Sequence, residues 1–274
     1  MKLISLVENS SCHADCGCIH GLSLYLETPK HRILFDMGPN ALFLENAQVL
    51  GVDLSTVDLA VLSHGHYDHG GGLELFCKRN ETAPILIAEH TFDVHAVRVE
   101  DGYEDIGVPA GLQGKWSERI RTLSGPLDSE LYILTEIPHR EYLTAASATL
   151  LERSGEEYVS DRFLHEQNLI VSCEGKHFLL AGCAHRGIVN ILRAGEAVIG
   201  GEFDYVFSGF HLTNPGLGID EPEALVRAVG EELRARQKTR YITGHCTGAG
   251  PYEILREMLG QRLDTMPSGR VFVL

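Results

Sequence analysis

No apolar run in the chain approaches the roughly 20 residues that a helix needs to cross a bilayer. The apolar start, Met1 to Val7, stops at Glu8. That is too short for the core of a secretion signal and reads as a first strand, so a cytoplasmic protein is expected. Basic residues are scarce, with 23 Lys and Arg against 38 Asp and Glu and a net charge of −15. This balance argues against nucleic acid as a partner, because such binding depends on Lys and Arg neutralising phosphates. A small phosphorylated substrate stays open, since bound metal ions supply positive charge. A disulfide framework is also missing. The 7 Cys are odd in number and scattered, as reduced thiols are. The triplet Cys12, Cys16 and Cys18 matches zinc-knuckle spacing only loosely and reads as a loop. Neither a linker nor a repeat of 20–50 residues is visible.

What is present is an alternation of short apolar runs with longer amphipathic ones. Lys2–Val7, Leu22–Leu26, Arg32–Phe35, Asp58–Leu62 and Pro84–Ala88 read as strands, with a helix over Gly70–Arg79. A polar stretch from about 90 to 130 has little periodicity. Leu131–Leu134, Asn168–Cys173, His177–Ala181, Asp204–Ser208, Arg240–Thr243 and Arg270–Leu274 read as further strands. The second and third of these form a hairpin turning at Glu174-Gly175. Helices are expected over Arg186–Arg193, Glu221–Gln237 and Pro251–Leu259. Strand-then-helix order in each half suggests two sheets covered by helices.

The sharpest signal is Ser63-His64-Gly65-His66-Tyr67-Asp68-His69-Gly70-Gly71. It lies between a buried strand and a helix. Three imidazoles and a carboxylate on one glycine-containing loop converge on a point, and those donors suit Zn, Fe, Mn or Co.

His-x-His-x-Asp-His after an apolar strand resembles the signature of the metallo-β-lactamase superfamily. Leu34-Phe35-Asp36-Met37-Gly38 is similar to the early strand whose Asp supports the metal loop. Leu179-Leu180-Ala181-Gly182-Cys183 is similar to the later strand ending in a bridging ligand, with Cys in place of Asp. Ile242-Thr243-Gly244-His245-Cys246 is similar to the final strand-end His. The family's middle His is matched by His185 or by His165. Glu8-Asn9, His20-Gly21-Leu22-Ser23, Gly182 to Asn190, Gly209-Phe210-His211-Leu212 and Thr243 to Gly248 narrow the resemblance to one subfamily. It is the group likened to the dihydropterin–ribofuranosylaminobenzene phosphate synthase, and its matches run from residue 8 to 248.

The resemblance implies an α/β fold, a four-layer αββα sandwich, as a single domain over 1–274 with about 90–165 as a variable insertion near the site. It implies metal ligands at His64, His66, Asp68, His69, Cys183, His185 and His245, holding one or two ions of Zn, with Mn, Fe or Mg as alternatives. Asp68 and His211 are the candidate catalytic residues, with His20, Asn9 and Arg186 as candidate substrate contacts. The expected activity is hydrolysis of a small, phosphorylated substrate by a metal-activated water. The alternatives are a transferase joining a pterin diphosphate to an arylamine phosphate, with Mg activating the diphosphate, and a non-catalytic metal-binding sensor.

Overall fold

The computed structural model describes residues 1–214 and 216–274. The chain forms two compact units. One comprises Met1–Leu123, Leu151–Gln167 and Met266–Leu274, and the other Ser124–Leu150 and Asn168–Thr265.

The first unit is built on a 7-stranded sheet ordered Val271–Val273, Lys2–Val7, Ser23–Glu27, Arg32–Phe35, Leu59–Val61, Ile85–Ile87 and Ile120–Thr122. The early strands pair antiparallel, and those from Arg32–Phe35 onward pair parallel. Leu59–Val61 and Ile85–Ile87 are buried throughout, as continuous apolar runs in a parallel sheet should be. The helix expected over Gly70–Arg79 starts later, at Leu73, and the His-rich segment expected as a loop carries a short helix of its own, Tyr67–Gly70, that includes Asp68 and His69. The helix Leu42–Val49 has no clear signal in the sequence. Its buried face carries Phe43 and Ala47, but Asn46 interrupts the apolar pattern. That amide donates to the carbonyls of Leu6 at 2.7 Å and Gly17 at 2.9 Å, so a polar residue serves as core here.

Residues 95–105 and 150–160, where no element is expected, form a 4-stranded sheet ordered Glu157–Ser160, Leu150–Ser154, His95–Val99 and Gly102–Asp105. Its outer strand Gly102–Asp105 is exposed along its length, which explains the lack of alternating apolar residues.

The second unit has its own 7-stranded sheet, ordered Leu263–Thr265, Arg240–Thr243, Tyr205–Phe207, Lys176–Leu180, Asn168–Cys173, Leu131–Leu134 and Gly125–Pro126. Its first four strands are parallel. Asn168–Cys173 and Lys176–Leu180 form the expected hairpin, with Cys173 opposite Lys176. Helix Ile188–Ile199 runs beyond the expected end at Arg193 and stops at Gly200, in the left-handed conformation. Helix Glu223–Ala235 buries Val226, Val229, Gly230 and Leu233, one stripe at i, i+3, i+4 and i+7. Each of the larger apolar side chains contributes about 1.5–3 kcal/mol on burial. No helix among the described residues is long and apolar enough to cross a membrane.

Candidate metal centre

In both units the chemistry-bearing residues follow the carboxyl ends of parallel strands, where open α/β sheets place their ligands. In the first unit Asp36 follows Arg32–Phe35 and the His-rich loop follows Leu59–Val61. In the second, Cys183, His211 and His245 follow Lys176–Leu180, Tyr205–Phe207 and Arg240–Thr243. Asp36, Ala184, His211 and His245 all have positive φ, between 48° and 61°. Non-glycine residues rarely adopt that conformation, and it concentrates at functional sites.

The loop of the first unit is oriented from below by Asp36, as the sequence suggested. Its Oδ1 accepts the Ser63 backbone N–H at 2.7 Å, and its Oδ2 accepts the Ser63 hydroxyl at 2.8 Å and His69 Nδ1 at 2.6 Å. Ser63 Oγ in turn lies 2.9 Å from His64 Nδ1. With Nδ1 of His64 and of His69 engaged as donors, each Nε2 carries the lone pair that a metal ligand needs. The ligand atoms of His64, His66 and Asp68 lie within 4.8 Å of one another. Burial holds the His66 imidazole well below its ordinary pKa, reinforced by the neighbouring His165 and opposed by Asp68, so His66 stays neutral. Neutral imidazoles with a carboxylate on one buried loop fit a divalent transition metal. His20 Nε2 lies 3.3 Å from Asp68 Oδ2, and Asn9 Oδ1 accepts the Gly21 N–H at 3.4 Å. These two candidate substrate contacts therefore border the loop.

His165 lies beside the loop, and both its nitrogens are engaged. Nδ1 accepts the Gly65 backbone N–H at 2.9 Å, and Nε2 donates to Asp161 Oδ2 at 3.1 Å. His95 Nδ1 reaches the same carboxylate oxygen at 3.2 Å, and the His95 and His165 rings pack 3.8 Å apart. Burial alone would raise the pKa of Asp161, but the hydrogen bonds from His165 and His95 hold it well below the usual carboxylate range. A side chain on Gly65 would strike the Thr91 carbonyl, 2.4 Å from its Cβ position, so the close approach requires glycine. The loop also pairs with residues 106–108. Tyr67 N–H donates to the Ile106 carbonyl and Val108 N–H to that of Gly65. Gln167 closes the arrangement by donating its amide to the carbonyls of Leu62 at 2.9 Å and Leu86 at 3.0 Å. Asp161, His95 and Gln167 carry no motif. The one sequence hint is Asp161 four residues before His165.

In the second unit, the ligand atoms of Cys183, His211 and Cys246 lie within 4.8 Å of one another. The His185 ring packs against that of His211, with centroids 4.3 Å apart, and its carbonyl accepts the Ser147 hydroxyl at 3.2 Å. His245 opens a turn fixed by Thr243 and Thr247, whose hydroxyls are 2.6 Å apart. Thr247 Oγ1 also accepts the Phe210 N–H at 3.0 Å, tying the two strand ends together. Arg186 donates to the carbonyls of Thr135 and Ile137, a structural use of the guanidinium.

Residues 16–245 match the family model described as "Metallo-beta-lactamase superfamily". The chain belongs to the metallo-β-lactamase superfamily, and its mixed α/β architecture is of that type. It is similar to the 7,8-dihydropterin-6-methyl-4-(β-D-ribofuranosyl)-aminobenzene-5′-phosphate synthase of Methanocaldococcus jannaschii, at 27% identity over 295 residues, spanning 99% of this chain and 96% of the relative. Among solved structures it is similar to Tm1679, described as a metal-dependent hydrolase of the β-lactamase superfamily. The TM-score is 0.83 and the identity 22%, with 100% and 99% of the two chains covered. It is also similar to Zn²⁺-bound PqqB from Methylobacterium extorquens, at a TM-score of 0.56 and 12% identity over the full length of both chains. At such identities the solved structures establish the fold alone.

Proposed function

We propose that the chain is a metal-dependent hydrolase acting in the cytoplasm on a small, phosphorylated substrate, with one or two zinc ions. The observation that supports this most is the convergence of His64, His66 and Asp68 on one buried loop. His69, Cys183, His185 and His245 complete the proposed ligand set, as family membership suggests. A bound metal would supply Lewis acidity toward a phosphoryl oxygen and lower the pKa of a water. The chain's own residues do the rest. Asp36 and Ser63 fix which nitrogens of His64 and His69 face outward. In this reading Asp68 ligates and accepts a proton, and His211 donates to the substrate's phosphate. The test is turnover of generic phosphomonoesters and phosphodiesters with Zn, Mn, Fe or Mg. His66→Ala should abolish it, and absence of turnover with every metal would overturn the proposal.

A second reading draws on the similarity to the dihydropterin synthase of Methanocaldococcus jannaschii over nearly the whole chain. A transferase of that kind requires two substrates. Product assays with each substrate alone and both together separate the two, because strict dependence on the second substrate excludes simple hydrolysis.

A further inference from the structure

We infer that Cys183, Cys246 and His211 form a thiolate-rich metal site within the second unit, and that this site makes the protein selective for zinc-like ions over magnesium and manganese. Cys183 is drawn from the ligand set proposed above. Cys246 and His211 are not ligands in that set, so the two assignments can fail separately.

Three features of the second unit carry the assignment. The two sulfurs and one His211 nitrogen lie within 4.8 Å of one another. A tetrahedral ion bound at ~2.0–2.3 Å needs donors roughly 3.5–3.8 Å apart, so a small closing movement suffices. The second feature is His211 itself. It is 5% exposed, both ring nitrogens are buried, and the Cys246 sulfur lies within reach of the ring. Its backbone is also held in the left-handed region, at φ 48°. The third feature is Gly209. A Cβ there would sit 2.6 Å from Cys246 Sγ, so the absent side chain is what admits the sulfur.

The donor chemistry gives the selectivity. Thiolate and imidazole suit zinc, cobalt and similar ions, whereas magnesium and manganese favour oxygen. Binding leaves two thiolates and a neutral imidazole around the ion. One His211 nitrogen is used, and the other stays available for the substrate role proposed above.

The test uses the full chain loaded with cobalt or zinc. Cobalt-loaded wild type should show a thiolate-to-metal charge-transfer band, which weakens in Cys246→Ser and in Gly209→Ala. Zinc affinity in Cys246→Ser should fall by at least about tenfold. X-ray absorption of wild type carrying a single zinc equivalent should show two sulfur neighbours at ~2.3 Å, a measurement that needs no variant. A His64→Ala/His66→Ala/Asp68→Ala chain that still binds zinc with a Cys246-dependent band would support the site even if hydrolysis is never found. A charge-transfer band unchanged by Cys246→Ser, or a single sulfur neighbour in wild type, would overturn it even if hydrolysis is confirmed.

Discussion

His165 Nδ1 accepts the backbone N–H of Gly65 at 2.9 Å, so this histidine braces the loop. With its other nitrogen donating to Asp161, His165 has no lone pair left to offer. We expect His185→Ala to reduce bound metal more than His165→Ala, measured by elemental analysis of purified variants. The reverse ranking would return His165 to the ligand set.

Asp161 supports that brace and should behave as a positioning residue. Asp161→Asn removes the charge that two histidines share. Metal affinity should fall about 10–100-fold, the range typical of lost outer hydrogen bonds, with all ligands still present. Competition with a chromogenic chelator measures this, and affinity within twofold of wild type would refute it.

Acid should destabilise the first unit in two stages. His66 and His165 have folded pKa values lowered by burial, so the unfolded chain takes up their protons first. Their stabilisation is complete above pH about 6.5 and is lost as pH falls below it. Asp161, also lowered, adds a loss below pH about 4. Thermal melts of metal-free protein from pH 8 to pH 3 should show both stages. His165→Gln should flatten the first, and an unaltered profile would contradict this account.

Alkali should act on the second unit. Tyr241 is fully buried, donates its hydroxyl to the Leu233 carbonyl at 2.9 Å, and has its pKa raised by burial. A raised value means stability is held below pH about 10 and lost above it, as the unfolded phenol ionises first. Tyr241→Phe should cost about 0.5–1.5 kcal/mol at pH 7 yet lose less stability between pH 9 and pH 11. Denaturant titrations at the two extremes decide this.

Zinc should raise the melting temperature and a chelator should reverse the effect. At 100 times the dissociation constant the gain is about 2.7 kcal/mol. For a chain of this size that corresponds to roughly 5–10 °C. A melt insensitive to both would count against metal binding in the native state.

The sequence makes legible those features that depend on local pattern. The His64–His69 loop, the hairpin at Cys173 and Lys176, and the helix carrying Val226, Val229 and Leu233 are all written in contiguous residues. What it hides is long-range support. Gln167 reaches Leu62 and Leu86 across more than 80 residues. Asp161 joins His95 and His165 from a stretch whose outer strand faces solvent and so shows no apolar period. Cys246 escaped because it directly follows His245, the more obvious donor, and its sulfur is placed by long-range neighbours, Cys183, His211 and Gly209.

The Asp36 carboxylate receives hydrogen bonds from both ends of the loop, at Ser63 and at His69. Two residues that chain drift could otherwise separate share one anchor. Selection therefore cannot tune metal affinity at this position without also tuning the resistance of the first unit to unfolding. A library at residue 36 sorted for tighter zinc binding would return variants ordered by thermal stability as well. Its inactive members would divide poorly into the unfolded and the metal-free, since one substitution produces both.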